Sequence, residues 1–265
     1  PIFKAVLEKS ALGSQPTVSR FFNRMDEDTL KQFQEISQIL RKRIYSIQMP
    51  QAVILDLDST LLAAYGKQEG RAFNFHYRSN GYHPLVCYDG ITGDLIKIQL
   101  RDGAAYSCTG VTNFLQPILD EYLNDYPTIH LLLRGDSGFA TPDLYKQCEE
   151  NGTSYVIRLM ENFIKESKSG FDFASVSSHT RIVNANRLQV HALAYNIFNW
   201  FRRLVLSANM RKQRIDTVRL KLLKIAAKVV HSARYITFKL CSSCPHKNEF
   251  YETLSNIGKL NVQLE

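Results

Sequence analysis

The chain has 265 residues, of which 45% are hydrophobic, so it can bury a sizeable core in one main domain. Lys and Arg number 33 against 25 Asp and Glu, and the resulting net charge of +8 is compatible with a nucleic-acid partner. No apolar run approaches the roughly 18 residues of a membrane span and no signal peptide opens the chain, which argues against a membrane or secreted protein.

The cysteines and the first residue bear on cellular context. Five cysteines are scattered through apolar and loop segments, which predicts reduced thiols in a cytoplasmic protein. Cys241 and Cys244 form a single CxxC pair, which is weak evidence for zinc without a second pair. Because the first residue is Pro1 and the earliest methionine is Met25, we expect the chain to be a piece of a longer protein.

Residues 1–50 are predicted to form helices joined by a loop. A helix start is expected at Thr17 or Ser19, directly after a proline. Apolar residues recur at helical spacing from Leu30 to Leu40, and Pro50 marks the end of that helix.

Residues 51–58 switch to the two-residue period of a strand. Asp56 and Asp58 share one face of this strand, and its other face is wholly apolar. Two carboxylates beside a core are costly unless something compensates their charge. Residues 73–77, 83–89 and 95–100 supply the next strand material, which predicts an antiparallel meander.

A second acidic residue follows a second apolar strand. After Gly110 the pattern is helical, and residues 129–133 then form a short strand that leads into Asp136. This position is the carboxyl end of a strand, where open α/β sheets bind their ligands. A helix beginning at Thr141-Pro142 and a strand over residues 155–158 follow. The order predicts an α/β protein with a mixed sheet and helices on its faces.

Glu161 is the third acidic position, in the segment Met160-Glu161-Asn162. Converging carboxylates are most commonly compensated by a divalent cation, and an oxygen-only ligand set suits Mg²⁺. Such sites are typical of enzymes that transfer phosphoryl groups in nucleic acid.

The motifs around these acids resemble those of DDE transposases of bacterial insertion sequences. They are Leu55-Asp56-Leu57-Asp58-Ser59-Thr60, Arg134-Gly135-Asp136-Ser137-Gly138-Phe139 and Met160-Glu161-Asn162 with Ile164, Lys165, Glu166 and Lys168. The likeness covers nearly the whole chain and implies a ribonuclease-H-like catalytic core with helical N- and C-terminal extensions. It also implies a catalytic and metal-binding triad of Asp58, Asp136 and Glu161. Asp56 is the rival for the first position and a further candidate metal ligand, but Asp58-Ser59-Thr60 matches the family better.

The family signature around the glutamate places Tyr, Arg, Glu and Lys with two, three and six residues between them. Tyr155, Arg158, Glu161 and Lys168 match it except that two residues, not three, separate Arg158 from Glu161. In addition, Glu161 follows Asp136 by only 161 − 136 = 25 residues. We therefore expect the β-rich insertion that the family carries at this point to be deleted, and the N-terminal DNA-binding part to be cut short.

The resemblance implies Mg²⁺ or Mn²⁺ as cofactor and DNA as partner, both the terminal inverted repeats of a transposon and the target. It also implies a homodimer in the synaptic complex and a location in the bacterial cytoplasm. The predicted activity is metal-dependent DNA strand cleavage and strand transfer. The alternatives are an inactive DNA-binding remnant and a plain metal-dependent nuclease.

Basic residues supply the predicted DNA contacts. Between Arg181 and Lys239 there are 13 Lys and Arg but only one acidic residue, Asp216, which favours phosphate contacts over a merely solvated face. The candidates across the chain are Arg134, Arg158, Lys165, Lys168, Arg202, Arg203, Arg211 and Lys212.

Three regions are predicted: a helical N-terminal segment over residues 1–50, a catalytic core over 51–175 and a basic, mainly helical part over 176–265. In the last region, Leu193, Ile197, Trp200 and Leu204 recur at helical spacing and are predicted to face the core.

Overall fold

The computed structural model describes residues 14–157, 168, 170–171, 176–225, 227–231, 236–241 and 244–260. The chain divides into two compact units. We call Phe22–Asn199 the sheet unit, and Pro1–Phe21 together with Trp200–Glu265 the C-terminal unit. Among the described helices, none is long and apolar enough to cross a membrane.

Eight strands lie in the described part of the sheet unit. They are β1 Ala52–Ser59, β2 Leu62–Ala63, β3 Ala72–Asn74, β4 Ser79–Tyr82, β5 Leu85–Asp89, β6 Leu95–Gln99, β7 His130–Gly135 and β8 Ser154–Ile157. Five of them form the main sheet in the order β6–β5–β1–β7–β8. β5 is antiparallel to β1 and β6, whereas β7 is parallel to β1 and β8. The remaining three form a small antiparallel sheet in the order β2–β4–β3.

The described helices occupy both units. They are α1 Gln15–Phe22, α2 Glu27–Ile47, α3 Val111–Asp125, α4 Pro142–Glu150, α5 Arg181–Leu204, α6 Ile215–Val218 and α7 Lys247–Lys259. The predicted mixed α/β sheet with flanking helices is confirmed, and its strand order and directions are those of a ribonuclease-H-like core.

The core lies between one face of the main sheet and the helices α2, α3 and α4. Burial alternates along β1, where Val53, Leu55 and Leu57 are buried. α2 and α3 meet on this side, since the Tyr45 and Tyr122 hydroxyls hydrogen-bond at 2.8 Å. These residues belong to one hydrophobic cluster, so the helices shield the apolar face of β1 and leave its carboxylate-bearing face for the site.

The start of α4 confirms the sequence prediction. Thr141 caps the helix by accepting a hydrogen bond from the Leu144 N–H, and Pro142 occupies the first turn. Proline fits there because the first N–H groups of a helix have no intrahelical acceptor. The cap fixes where the chain turns after β7, directly beyond Asp136.

The buried face of α5 agrees with the prediction at Trp200, which is buried, but not at Ile197. Ile197 is 52% exposed, whereas Gln189, Asn196 and Asn199 are buried. Asn196 accepts from the Leu95 N–H and donates to the Leu95 carbonyl, so it satisfies the free edge of β6. The apolar periodicity of α5 could not reveal this face, because the face is polar and hydrogen-bonds the backbone of a strand.

The C-terminal unit contains α6, α7 and a hairpin of β9 Ala227–His231 with β10 Ile236–Leu240. The region 176–265, predicted to be mainly helical, thus also contains a hairpin. α2 and most of α5 lie within the sheet unit.

Candidate active site at the carboxyl ends of β1 and β7

Two aspartates occupy equivalent positions on adjacent parallel strands. Leu57 of β1 pairs with Gly135 of β7, so Asp58 and Asp136 are each the next residue along. Neighbouring strands are about 4.8 Å apart, so the backbone positions of these two aspartates lie side by side at the carboxyl edge of the sheet. The strands thus bring together two of the three predicted catalytic residues.

Backbone N–H groups orient both carboxylates. Oδ1 of Asp58 accepts from the Ser59 N–H at 2.6 Å. Oδ1 of Asp136 accepts from the Gly138 N–H at 2.8 Å, and Asp136 thereby caps the short 3₁₀ turn Ser137–Phe139. Both aspartates are half-buried. Hydrogen bonds of this kind fix the direction in which a side chain points.

Asp56 lies two residues before Asp58 on the same face, and its direct partner across the strands is Arg134. Nε and Nη2 of Arg134 donate to the two oxygens of Asp56 in a bidentate ion pair. This contact raises the pKa of the Arg134 guanidinium. Gly90 makes room for the pair, since a Cβ there would lie 2.8 Å from the Asp56 carboxylate.

The ion pair distinguishes the surroundings of the two β1 aspartates. Asp56 has Arg134 as its cross-strand partner, whereas Asp58 lies two residues nearer the carboxyl edge of the sheet. Arg134 donates to Asp56 through Nε and Nη2, and a phosphate contact by its other N–H groups stays a prediction.

Ser107 connects the two aspartate turns. Its hydroxyl hydrogen-bonds Ser59 Oγ at 3.0 Å, next to Asp58. On the other side it approaches Gly138, where an added Cβ would lie 3.1 Å from Ser107 Cβ and 3.0 Å from Asp136 Oδ1. Ser107 therefore packs between the residues that orient the two carboxylates.

A buried arginine holds the loop that carries Ser107. Arg101 Nη1 donates to the carbonyls of Tyr106, Ser107 and Thr109, and its Nε donates to the His83 carbonyl. Burial lowers the pKa of Arg101 to about 10. Sequence reasoning missed Arg101 and Ser107, because no motif or spacing marks them.

Lys168 is the one member of the predicted glutamate segment that lies within the described residues. Its ammonium donates to Thr60 Oγ1, two residues beyond Asp58. Glu161, Arg158 and Lys165 lie outside the described residues. Within the described part of the chain, no cluster of three or more His, Cys, Asp and Glu side chains could hold a metal by itself.

The histidine beside this region has a structural contact. The His83 ring Nδ1 lies 2.6 Å from the Ala105 carbonyl oxygen, and burial is the main cause that lowers the pKa of His83. Cys241 and Cys244 are not joined in a disulfide.

The C-terminal unit presents part of the predicted basic surface. Arg211 and Lys212 are exposed, while Arg202 and Arg203 are half-buried near the end of α5. Arg211 also donates to the Leu206 carbonyl, which positions its guanidinium. Their contacts with DNA stay predictions.

Comparison with known proteins found one matching family model and several similar solved structures. A family model described as transposase DDE domain group 1 matches residues 1–162 and 159–262. No curated protein sequence matched. Similar solved structures include the catalytic domain of Mos1 mariner transposase, at 10% identity and a TM-score of 0.32, covering 66% of this chain and 96% of that chain. The Mos1 mariner paired-end complex with Mn has 10% identity and a TM-score of 0.30, covering 74% of this chain and 72% of that chain. A piggyBac transposase synaptic complex with hairpin DNA has 18% identity and a TM-score of 0.28, covering 41% of this chain and 23% of that chain.

Proposed function

The chain belongs to the group 1 family of transposase DDE domains, and we propose that Asp58, Asp136 and Glu161 are its catalytic triad. The observation that carries this proposal is the register of β1 and β7, which makes Asp58 and Asp136 adjacent at the carboxyl edge of the sheet. Two oriented, half-buried carboxylates on adjacent strands are a ligand set that divalent cations can share.

The donor set fits a hard divalent cation. Mg²⁺ and Mn²⁺ prefer oxygen ligands, and Mg²⁺ usually takes one or two carboxylates with water and phosphate completing its shell. Asp58, Asp136 and Glu161 would hold the ions, while the backbone N–H groups of Ser59 and Gly138 keep the aspartates pointed at them. Bound metal would activate the attacking water or 3′-hydroxyl and stabilise the leaving oxygen.

Lys168 supports the assignment of Glu161. It lies seven residues after Glu161 in the sequence, and its ammonium contacts Thr60, two residues beyond Asp58. The family model also matches in two segments that meet at residues 159–162, which is where a deleted insertion was expected. We infer that this deletion brings Glu161 directly after the sheet, with Lys168 beside the DNA backbone.

We infer that DNA is the substrate and that the basic C-terminal unit binds its phosphates. The exposed side chains of Arg211, Lys212 and Arg214 carry positive charge without acidic neighbours in the sequence nearer than Asp216. We further propose that the DNA comprises transposon end repeats and a target, that two copies of the chain pair on these ends, and that the protein acts in the bacterial cytoplasm.

The test is Asp136→Asn with Asp143→Asn as a matched control. Asp143 is an exposed aspartate in the first turn of α4, seven residues further along. Asp136→Asn should abolish Mg²⁺-dependent cleavage and leave DNA binding unchanged or stronger, because it removes a metal ligand and a negative charge facing phosphate. Asp143→Asn should behave as the unsubstituted chain.

The outcomes separate the candidate functions. Cleavage together with strand joining supports the transposase, whereas cleavage without joining indicates a plain nuclease. DNA binding without cleavage by the unsubstituted chain would identify an inactive remnant. Cleavage by Asp136→Asn at the normal rate would overturn the assigned site.

A further inference from the structure

An aromatic hairpin lies beside the end of β1. We use this name for residues 72–82, which comprise β3, β4 and their connection. Phe75 is 85% exposed and Phe73 is 42% exposed, and their rings pack edge to face with centroids 5.2 Å apart. Large apolar rings in full contact with water stabilise nothing in the fold, and such patches commonly mark binding surfaces.

Tyr77 ties the hairpin to the site. Its hydroxyl donates to the Ser59 carbonyl at 3.4 Å, one residue beyond Asp58. Phe75 is two residues from Tyr77, so their Cα atoms are at most about 7 Å apart. The exposed ring of Phe75 is therefore within a few nucleotides of a phosphate held at Asp58.

The hairpin is held rigidly. The buried Asn74 side chain donates to the Gly103 carbonyl and accepts from the Tyr77 N–H. Gly103 presses on the hairpin backbone so closely that an added Cβ would lie 2.2 Å from the Gly81 carbonyl oxygen. A ring presented on a fixed support loses little entropy when it binds, which suits stacking.

The charged residues near the aromatic hairpin indicate which kind of molecule binds it. Between Gly70 and Tyr88 the sequence contains no acidic residue, and Arg71 and Arg78 flank the aromatic stretch. Arg78 is exposed at the turn. Aromatic faces with neighbouring cations, in a stretch that itself carries no carboxylate, match an unpaired stretch of nucleic acid, whose bases stack while its phosphates meet the arginines.

We propose that the aromatic hairpin binds unpaired nucleobases of the DNA strand that enters the Asp58–Asp136 site, with Phe75 as the stacking ring and Phe73 as its support. This inference rests on the proposed function, because it takes DNA as the substrate. Stacking makes the protein prefer DNA whose end is unpaired over fully paired DNA.

The experiment uses the full chain without divalent metal and two labelled DNAs, a blunt duplex and the same duplex with a single-stranded tail containing 2-aminopurine. The chain should bind the tailed DNA about tenfold more tightly and quench the 2-aminopurine fluorescence. Phe75→Ala should erase both effects, whereas Phe75→Trp should retain them.

Tyr251→Ala is the matched control, since Tyr251 is an exposed aromatic of α7 at 53% exposure. It should leave the tail preference unchanged. Unaltered quenching in Phe75→Ala overturns the proposal. The proposal is also overturned if Phe75→Ala changes the sedimentation of the chain but not its tail binding. The hairpin would then be an interface between copies of the chain.

Failure here is distinguishable from failure of the proposed function. Tail binding needs no metal and no cleavage, so quenching that depends on Phe75 stands even if the chain cuts no DNA. Conversely, the function is supported and the stacking surface is refuted if cleavage requires metal and Asp136 while Phe75→Ala changes neither cleavage nor tail binding.

Discussion

Gly138→Ala should damage the site without unfolding the protein. The added Cβ would lie 3.0 Å from Asp136 Oδ1 and 3.1 and 3.2 Å from Ser107 Cβ and Oγ, so these neighbours must give by a few tenths of an ångström. If a 1 Å displacement of a catalytic group costs on the order of a hundredfold in rate, a shift of about 0.3–0.5 Å costs roughly four- to tenfold.

Stability should change little, because Gly138 sits in a short 3₁₀ turn where alanine is allowed. Gly→Ala at a compatible position stabilises by about 0.4–1 kcal/mol through the unfolded state, which offsets part of the crowding. The assay measures the Mn²⁺ concentration for half-saturation, the cleavage rate and the free energy of unfolding. We expect a weaker metal affinity, a lower rate and a change in unfolding free energy within about 1 kcal/mol.

Ser107→Gly combined with Gly138→Ala provides the control, because it removes two of the three close atoms. The double variant should recover part of the metal affinity that Gly138→Ala alone forfeits. Unchanged metal affinity and rate in Gly138→Ala would refute the reasoning, since Asp136 could then not be a ligand in the position described.

Three further predictions concern the core, the basic surface and pH. Arg41→Met should lower the free energy of unfolding by about 3–5 kcal/mol in urea denaturation, because it leaves the buried Glu121 without its bidentate partner; adding Glu121→Met should restore most of it. A second variant replaces five basic residues by Gln, namely Arg202, Arg203, Arg211, Lys212 and Arg214. The slope of log DNA affinity against log salt should become shallower by about 0.9 for each phosphate that is no longer neutralised. An unchanged slope would mean that these side chains form a solvated face. Burial raises the pKa of Asp89 above 3.8, so the folded state binds this proton more tightly than the unfolded state. The stability of the unsubstituted chain relative to Asp89→Asn should therefore fall as pH rises above 3.8, and a rise over that range would contradict the shift.

The sheet and two of the acids could be predicted from local pattern. The two-residue period of β1 placed Asp56 and Asp58 on one face, and the apolar run of β7 led to Asp136 at a strand end. Both features depend on residues close in sequence. The predicted N-cap at Thr141 depends on three consecutive residues and is likewise confirmed.

The remaining features depend on residues that are distant in sequence. Arg134 is the cross-strand partner of Asp56, and that pairing follows from strand register. Ser107 contacts Ser59 from a loop that Arg101 holds through backbone carbonyls. Asn196 of α5 hydrogen-bonds the backbone of β6. Residue type alone cannot reveal any of these partners.

The most direct test of the triad is the anomalous diffraction of Mn²⁺ in crystals of the full chain. The account predicts Mn²⁺ peaks about 3.5–4 Å apart, contacted by the carboxylates of Asp58, Asp136 and Glu161, with Asp56 still paired to Arg134. Peaks that contact Asp56 in place of Asp58, or a Glu161 carboxylate directed away from both aspartates, would contradict it.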